Sequence, residues 1–534
     1  MNRRTLLAAG TGVAATAAWG VACSDGAGHA APNQRSTTAS AEARSARPPS
    51  TTSASAAAGK PKATDWTALG KGLRGGLIRP GDADYAVARQ LYNTRFDAQR
   101  PAAIAYVSHT ADITECLAFA RRHGTPVAIR NGGHSYAGYS SGTDRLVIDV
   151  SRLKSVRTSG GSATIGAGAK LIDVYTGLGA HGVTIPAGSC PTVGISGLTL
   201  GGGHGVVSRA YGLTADSLTG ATIITADGKT LQTSKSREAD LFWALRGAGS
   251  GNFGVVTELQ FRTHKAADGV SAYLTWPWAK AAAVLRAWQE WGPTQPDEIW
   301  SSIHFSAAPG RTPTLSVSAF SLGTYGDLQN ALDKLADKAG ASAKSVSLRR
   351  RTYVDAMRGY AGCASTPTDQ CHLPGKTPGR HVTGVLRRET YGARSDFFGR
   401  SLNQAGIRAL LDQVERYGRK TSGGGAVSVA LTALGGAVNR VAPLSTAFVH
   451  RRSRMLAQYT ASWPASGAGA AQVSWLDSAH AAMRRYASGA AYQNYADASL
   501  KDWRKAYYGD AADRLTKLKK RYDPRRLFSF PQAL

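Results

Sequence analysis

Two dense glycine segments constrain this chain more than any other feature. The first is Arg130-Asn131-Gly132-Gly133-His134-Ser135; the second runs from Gly188 through Gly194, Gly197 and Gly201-Gly202-Gly203 to Gly205. Glycine carries an entropic cost in any fixed backbone, so such density marks main chain pressed against main chain or against a flat, extended ligand. No Gly-x-y period runs through the 61 glycines, which excludes a collagen-like fibre. Pro126 to Ile129 reads as a strand emptying straight into the first segment. That arrangement clusters backbone N–H groups and suits a phosphate or pyrophosphate. Ala105 to Val107 and Leu146 to Val150 read as strands, and Asp112 to His123 as a helix ended by Gly124. Unaided physics therefore predicts a phosphate-bearing cofactor domain, with His134 and Cys190 as unusual reactive residues beside it.

Other motif matches fail on context. Gly138-Tyr139-Ser140-Ser141-Gly142 fits the nucleophile elbow of serine hydrolases, but that motif works on a strand-to-helix turn and a strand follows here. Gly249-Ser250-Gly251-Asn252-Phe253-Gly254 fits a dinucleotide fingerprint, which needs a strand before and a helix after. Here the order is reversed, with helical character over Leu241 to Arg246 and a β-branched run at Val255-Val256-Thr257. Asp227-Gly228 reads as a hairpin turn between Thr222–Thr225 and Thr230–Thr233.

The length of 534 residues exceeds one small domain, and the ends of the chain differ in kind. Arg3-Arg4 ahead of a weakly apolar, Ala/Gly-rich run to Ala22 predicts a twin-arginine-type export signal over 1–23. Val21-Ala22-Cys23 also resembles a lipoprotein box, although Gly20 stands where that box usually has Leu. A membrane tether through Cys23 lipidation and a released protein fit equally well. Residues 24–64 contain no Leu, Ile, Val, Met or aromatic residue, so they read as a disordered linker. The net charge is +29, of which +24 falls beyond residue 64. The basic runs are short and no RNA-binding aromatic motif accompanies them, so no nucleic-acid partner is expected. A non-catalytic module binding an anionic envelope and a hydrolase using Ser140 stand as rival readings.

Taken together, Arg130–Ser135, Gly188-x-Cys190-Pro191-Thr192-Val193-Gly194, Gly201–Gly205, Tyr211-Gly212-Leu213 and Leu241–Gly254 resemble the berberine-bridge-enzyme-like branch of the vanillyl-alcohol-oxidase flavoproteins. The resemblance returns in Tyr492-Gln493-Asn494-Tyr495-x-Asp497, Trp503, Tyr507-Tyr508-Gly509, Tyr522-Asp523-Pro524 and Phe530-Pro531-Gln532. It implies an α+β fold: a two-subdomain PCMH-type FAD-binding domain built from N- and C-terminal parts, with an inserted substrate domain of antiparallel sheet covered by helices. The expected boundaries are 65–264 for the FAD-binding domain, 265–485 for the substrate domain and 486–534 for the returning segment.

The same resemblance implies bicovalent FAD, His134 bonded to the flavin 8α-methyl group and Cys190 to flavin C6. It makes Tyr495 the general base, with Tyr492 its supporting neighbour. A free phenol ionises near ~10, so Tyr495 needs a nearby charge or hydrogen bond to act at neutral pH. Val193 matches the position that gates dioxygen, and His204 one where relatives often carry an aromatic residue. Arg130, Asn131, Gly132, Gly133, Ser135, Gly138, Pro191, Thr192, Gly194, Gly197, Gly205, Gly254, Val256 and Asn494 complete the expected cofactor-binding set, with no metal. The implied activity is an FAD-dependent oxidase taking hydride from an alcohol or hemiacetal carbon of a sugar or secondary metabolite, with dioxygen as acceptor. A natural-product tailoring enzyme with another acceptor is the alternative, and a monomer is expected.

In the middle segment, Trp278 to Trp291 reads as an amphipathic helix with Leu285, Trp288 and Trp291 directed to a core. Leu315 to Phe320 and Ala426 to Leu431 read as strands with one buried face. Cys363 and Cys371, eight apart, suit a disulfide in an exported protein. Two free thiols rank second, and a metal site with His372 ranks last. Cys116 is expected to be buried.

Overall fold

The computed structural model describes residues 59–534; the predicted signal and most of the predicted linker lie outside the described residues. The first helix, Ala63–Gly72, starts inside the linker range, where the Asp65 carboxylate accepts the Lys62 N–H at 2.7 Å.

The glycine loops hang from two sheets. Strands Leu77–Ile78, Ala103–Tyr106, Leu146–Asp149 and Val127–Arg130 form the first, in that spatial order, with the last three parallel. A continuous apolar run suits a strand buried on both faces, and Ala103–Tyr106 and Leu146–Asp149 are buried throughout. Helix Thr110–His123 crosses between Ala103–Tyr106 and Val127–Arg130 and closes on Gly124, whose φ of 61° is the left-handed stop glycine supplies cheaply. The second sheet is antiparallel, in the order Val156–Ser159, Ser162–Gly166, Gly254–Arg262, Leu218–Thr225, Thr230–Ser234. Its last hairpin turns at Asp227-Gly228. Helix Ala239–Ala244 precedes the Gly249–Gly254 motif and strand Gly254–Arg262 follows it, the reverse of a dinucleotide fold. One hydrophobic core joins both sheets, and Tyr507, Tyr508, Leu515 and Phe528 of the C-terminal segment are part of it.

Seven antiparallel strands form the other large layer. Their order is Ser345–Arg351, Gly269–Trp276, Thr314–Ser321, Ile299–Ala307, Ala426–Ala433, Met455–Ser462, Tyr391–Phe398. Strand residues alternate between faces, and here the two faces differ in chemistry. Ile303, Phe305, Leu315, Val317, Val427 and Val429 pack with helices Ala281–Trp291, Tyr325–Ala339, Gln404–Gly418 and Ala470–Arg484. Full burial of each such side chain contributes about 1.5–3 kcal/mol. Their sequence neighbours His304, Ser306, Ser316, Ser318 and Ser428 point the other way, into a cavity.

The tryptophan helix is shorter than its apolar pattern. Trp278–Lys280 is a separate 3-10 turn and the α-helix runs from Ala281 to Trp291, where Gly292-Pro293 ends it. Leu285, Trp288 and Trp291 are core residues. Cys363 and Cys371 form a disulfide, and Cys116 is a buried thiol. His372 bonds the Asp173 carboxylate at 3.1 Å, and no metal-binding cluster occurs among the described residues.

Candidate functional site

A cavity of about 1180 Å³ separates the glycine loops from the open face of the seven-stranded sheet. That exceeds the usual range for one small ligand and leaves room for a cofactor and a substrate together. Asn131, Gly132, Gly133, His134, Ser135, Cys190, Val193, Gly194, Gly197, His204 and Gly205 form one wall, with the loop Ala248–Asn252. Tyr492, Asn494 and Tyr495 close it from the C-terminal segment.

The glycines do two different jobs. A Cβ on Gly132 would lie 2.4 Å from the Thr192 carbonyl, so this position lets the two loops touch; one on Gly205 would lie 1.8 Å from the Ala187 carbonyl, so that glycine lets the two ends of the second loop close on each other. A Cβ on Gly197 would meet nothing within 4 Å. There the bare backbone faces the cavity, as it must where a flat ring or phosphate lies against main chain. Tyr139 Oη and Ser140 Oγ, on the same wall, are buried without a hydrogen-bond partner in the protein. An extended, polar, flat cofactor fits that wall. Ser140 has no base on its hydroxyl, which removes the serine-hydrolase reading.

His134 stacks on Tyr92 with ring centroids 4.0 Å apart and shares a 2.7 Å hydrogen bond between Nε2 and Thr192 Oγ1. Enclosure by protein, then the nearby Lys170 ammonium, pushes its pKa down to about 3. Lys170 is itself buried; its ammonium donates to Asn131 Oδ1, to Ser151 Oγ and to the Gly168 carbonyl, pinning Asn131 behind the loop. Cys190 lies on the cavity wall.

At the other end of the wall, Tyr495 Oη and His204 Nε2 are 2.9 Å apart. Burial raises the Tyr495 phenol well above its ordinary value, and the Tyr136 and Tyr492 phenols add to the rise. Burial lowers His204 to about 4. Tyr492 is placed differently from its neighbour: its Oη accepts the Gly203 N–H and the Asn494 amide, both at 2.9 Å, and its ring packs in an apolar cluster with Phe397 and Phe448. It buttresses this end of the cavity.

Several expected cofactor residues stand behind the wall. Arg130 is buried in an ion pair with Asp149. Thr192 reaches the site only through His134, and the Pro191 carbonyl accepts the Ile172 N–H. Gly138 makes the turn that presents Tyr139 and Ser140, its φ of 73° set against the Phe96 ring. Gly254 and Val256 are not brought to the cavity: they pair with Thr225 and Ile223 in the second sheet. A Cβ on Gly254 would lie 2.3 Å from the Ile224 carbonyl, so that glycine serves strand packing.

Three contributors were not anticipated. Tyr136 contacts Tyr495, centroids 5.0 Å apart, and accepts a 2.8 Å hydrogen bond from Gln458 of the large sheet. Tyr92 carries His134. The hydroxyl-rich sheet face forms the opposite wall, with Ser316, Ser318, Ser428, Thr432, Thr460 and Ser462 among its members.

Residues 101–234 match the FAD binding domain family and residues 491–534 the berberine and berberine like family. An uncharacterized FAD-linked oxidoreductase of Bacillus subtilis, YgaK, is 32% identical over 86% of this chain and 97% of its own length. The chitooligosaccharide oxidase of Gibberella zeae is 31% identical over 83% of this chain and 89% of its own. Among solved structures, BBE-like 1 of Physcomitrella patens superposes with TM-score 0.79 at 30% identity, covering 88% of this chain and 98% of that one. The xylooligosaccharide oxidase of Myceliophthora thermophila C1, in complex with xylobiose, gives 0.76 at 25% identity, with 88% and 98% covered. The chain belongs to the berberine-bridge-enzyme-like FAD-linked oxidases, and it is an FAD-dependent oxidoreductase.

Proposed function

We propose that this protein oxidises the reducing end of a neutral oligosaccharide or aldose to its lactone, with Tyr495 as base, His134 and Cys190 holding FAD covalently, and dioxygen as acceptor. When bound, FAD supplies an acceptor for the electron pair of the substrate C–H bond and a route for that pair to dioxygen, giving hydrogen peroxide. Everything else falls to the chain. Tyr495 Oη takes the proton of the anomeric hydroxyl. His134, kept neutral by enclosure and Lys170, presents a ring nitrogen for attachment; with Nε2 engaged by Thr192, Nδ1 is the free one. Attachment at Cys190 takes the thiolate, the reactive form of the side chain.

The observation that carries the reading is the direct link from cofactor loop to sheet. Tyr136, two residues after His134, touches Tyr495 with its ring and Gln458 with its hydroxyl. The sheet face beyond offers serines, threonines, His304 and Trp300. Burial lowers His304 to about 4, so it too is neutral, and uncharged hydrogen-bonding groups beside aromatic rings suit a neutral sugar. The relatives named as chitooligosaccharide and xylooligosaccharide oxidases support that class. Export by the twin-arginine route, ending in a secreted or envelope-attached enzyme, rests on residues 1–23 and accords with a cofactor loaded before secretion.

Acid precipitation of the purified protein, followed by peptide mass spectrometry, tests the attachment. Yellow colour should stay in the pellet, with flavin mass on the His134 and Cys190 peptides; colour lost to the supernatant refutes it. Peroxide release from xylobiose, chitobiose and cellobiose tests the substrate. Silence with all three, alongside turnover of a non-sugar alcohol, refutes the carbohydrate reading.

A further inference from the structure

The base itself poses a problem that the fold answers. Tyr495 is enclosed by phenols, Tyr136 and Tyr492, and neither a carboxylate nor a cation acts on it. A phenol so placed is a poor proton acceptor unless its own proton has somewhere to go. Among the described residues, the one side-chain hydrogen bond on Tyr495 runs to His204 Nε2 at 2.9 Å, and it is the one side-chain hydrogen bond His204 makes. The His204 ring stands nearly perpendicular to the Tyr495 ring, at 80°, with centroids 5.8 Å apart. The titratable groups facing this pair are the phenols of Tyr136, Tyr391 and Tyr492.

We propose that His204 is the positioning partner of Tyr495 and receives, at Nε2, the phenolic proton that Tyr495 gives up. The inference rests on Tyr495 as base in the reading above. The step balances as follows. The substrate O–H bond breaks and its proton bonds Tyr495 Oη; the Tyr495 O–H bond breaks and that proton bonds His204 Nε2. The substrate C–H bond breaks with its hydrogen and both electrons leaving together as hydride, which bound FAD would accept, as the substrate C=O bond forms. The imidazolium offsets the negative charge that the pair brings into the cavity, which is why a neutral histidine can accept there. It returns its proton when dioxygen would take the hydride's hydrogen and electrons, the His204 proton supplying the second hydrogen of hydrogen peroxide. For Tyr495 to donate, the His204 proton sits on Nδ1.

The test uses flavin-loaded full-length protein with the sugar that the peroxide screen selects. Anaerobic stopped-flow gives the limiting rate of flavin bleaching and the apparent Kd for wild type, His204→Gln and Tyr495→Phe. Glutamine keeps a hydrogen bond but no basicity. Expected for His204→Gln is a limiting rate down ~10²-fold or more, with binding of the lactone product, read from the flavin spectrum, within twofold of wild type. The pH profile should change as well. Wild type should level off above the acid limb set by His204, whereas His204→Gln should keep rising toward pH ~10, because the phenol must then ionise alone. His204→Ala supplies a second route: added imidazole should restore part of the lost rate. A His204→Gln enzyme reducing its flavin within threefold of wild type, with an unshifted profile, overturns the proposal. If Tyr495→Phe also turns over normally, the reading of Tyr495 as base has failed instead. If only Tyr495→Phe is slow, the base stands and His204 merely packs.

Discussion

The two walls of the cavity are built on opposite principles. On the cofactor wall, glycine removes side chains so that backbone approaches backbone, as at Gly132 and Gly205, or faces open space, as at Gly197. On the sheet wall side chains do the lining, and alternation sorts them: Val317 into the helix-covered core, Ser316 and Ser318 into the cavity. A wall of main chain recognises what every cofactor molecule shares, and a change there disturbs geometry. A wall of side chains recognises what differs between substrates, and a change there tunes affinity. The comparison teaches where each kind of substitution should be felt.

The sharpest break is at the seam between the walls. Tyr495→Phe should slow flavin reduction by ~10²–10⁴-fold while leaving flavin content and melting temperature unchanged, checked by anaerobic stopped-flow and absorbance. The helix side of the large sheet comes next. Ile303→Ala, on the helix side, should lower stability by about 2–5 kcal/mol in urea unfolding. The cofactor wall separates into its two jobs when Gly132→Ala is compared with Gly197→Ala. The first should cost about 1–3 kcal/mol in stability through overpacking, whereas the second should leave unfolding unchanged and lower flavin incorporation. The smallest effect belongs to the cavity side of the sheet. Ser316→Ala should leave stability within about 0.5 kcal/mol and raise KM about twofold to tenfold at unchanged kcat, the loss of one hydrogen bond.

The same contrast decided what could be read from the chain. Gly132, His134 and Cys190 were legible because a glycine loop states a local need in consecutive letters. The resemblance implies Gly254 and Val256 as cofactor-binding residues, but at Gly254 a strand's own close approach to Ile224 asks for glycine too, and nothing local separates the two demands. The period-two pattern in Leu315-Ser316-Val317-Ser318 was visible as a strand with a buried face. Its role as a cavity wall depended on strand order, which periodicity does not encode. Tyr136 and Gln458 meet across 322 positions, and His204 and Tyr495 across 291. Such convergence is a property of topology, so the group that answers Tyr495 could be named only from coordinates.

That separation of His204 from Tyr495 has a temporal side. Both glycine loops leave the ribosome before any strand of the large sheet, and the phenol follows after all seven. A growing chain can therefore shape a cradle for its cofactor long before it owns the phenol that closes the cavity. Contacts so distant along the chain form late and slowly, so the seam between the walls closes after the cradle is shaped.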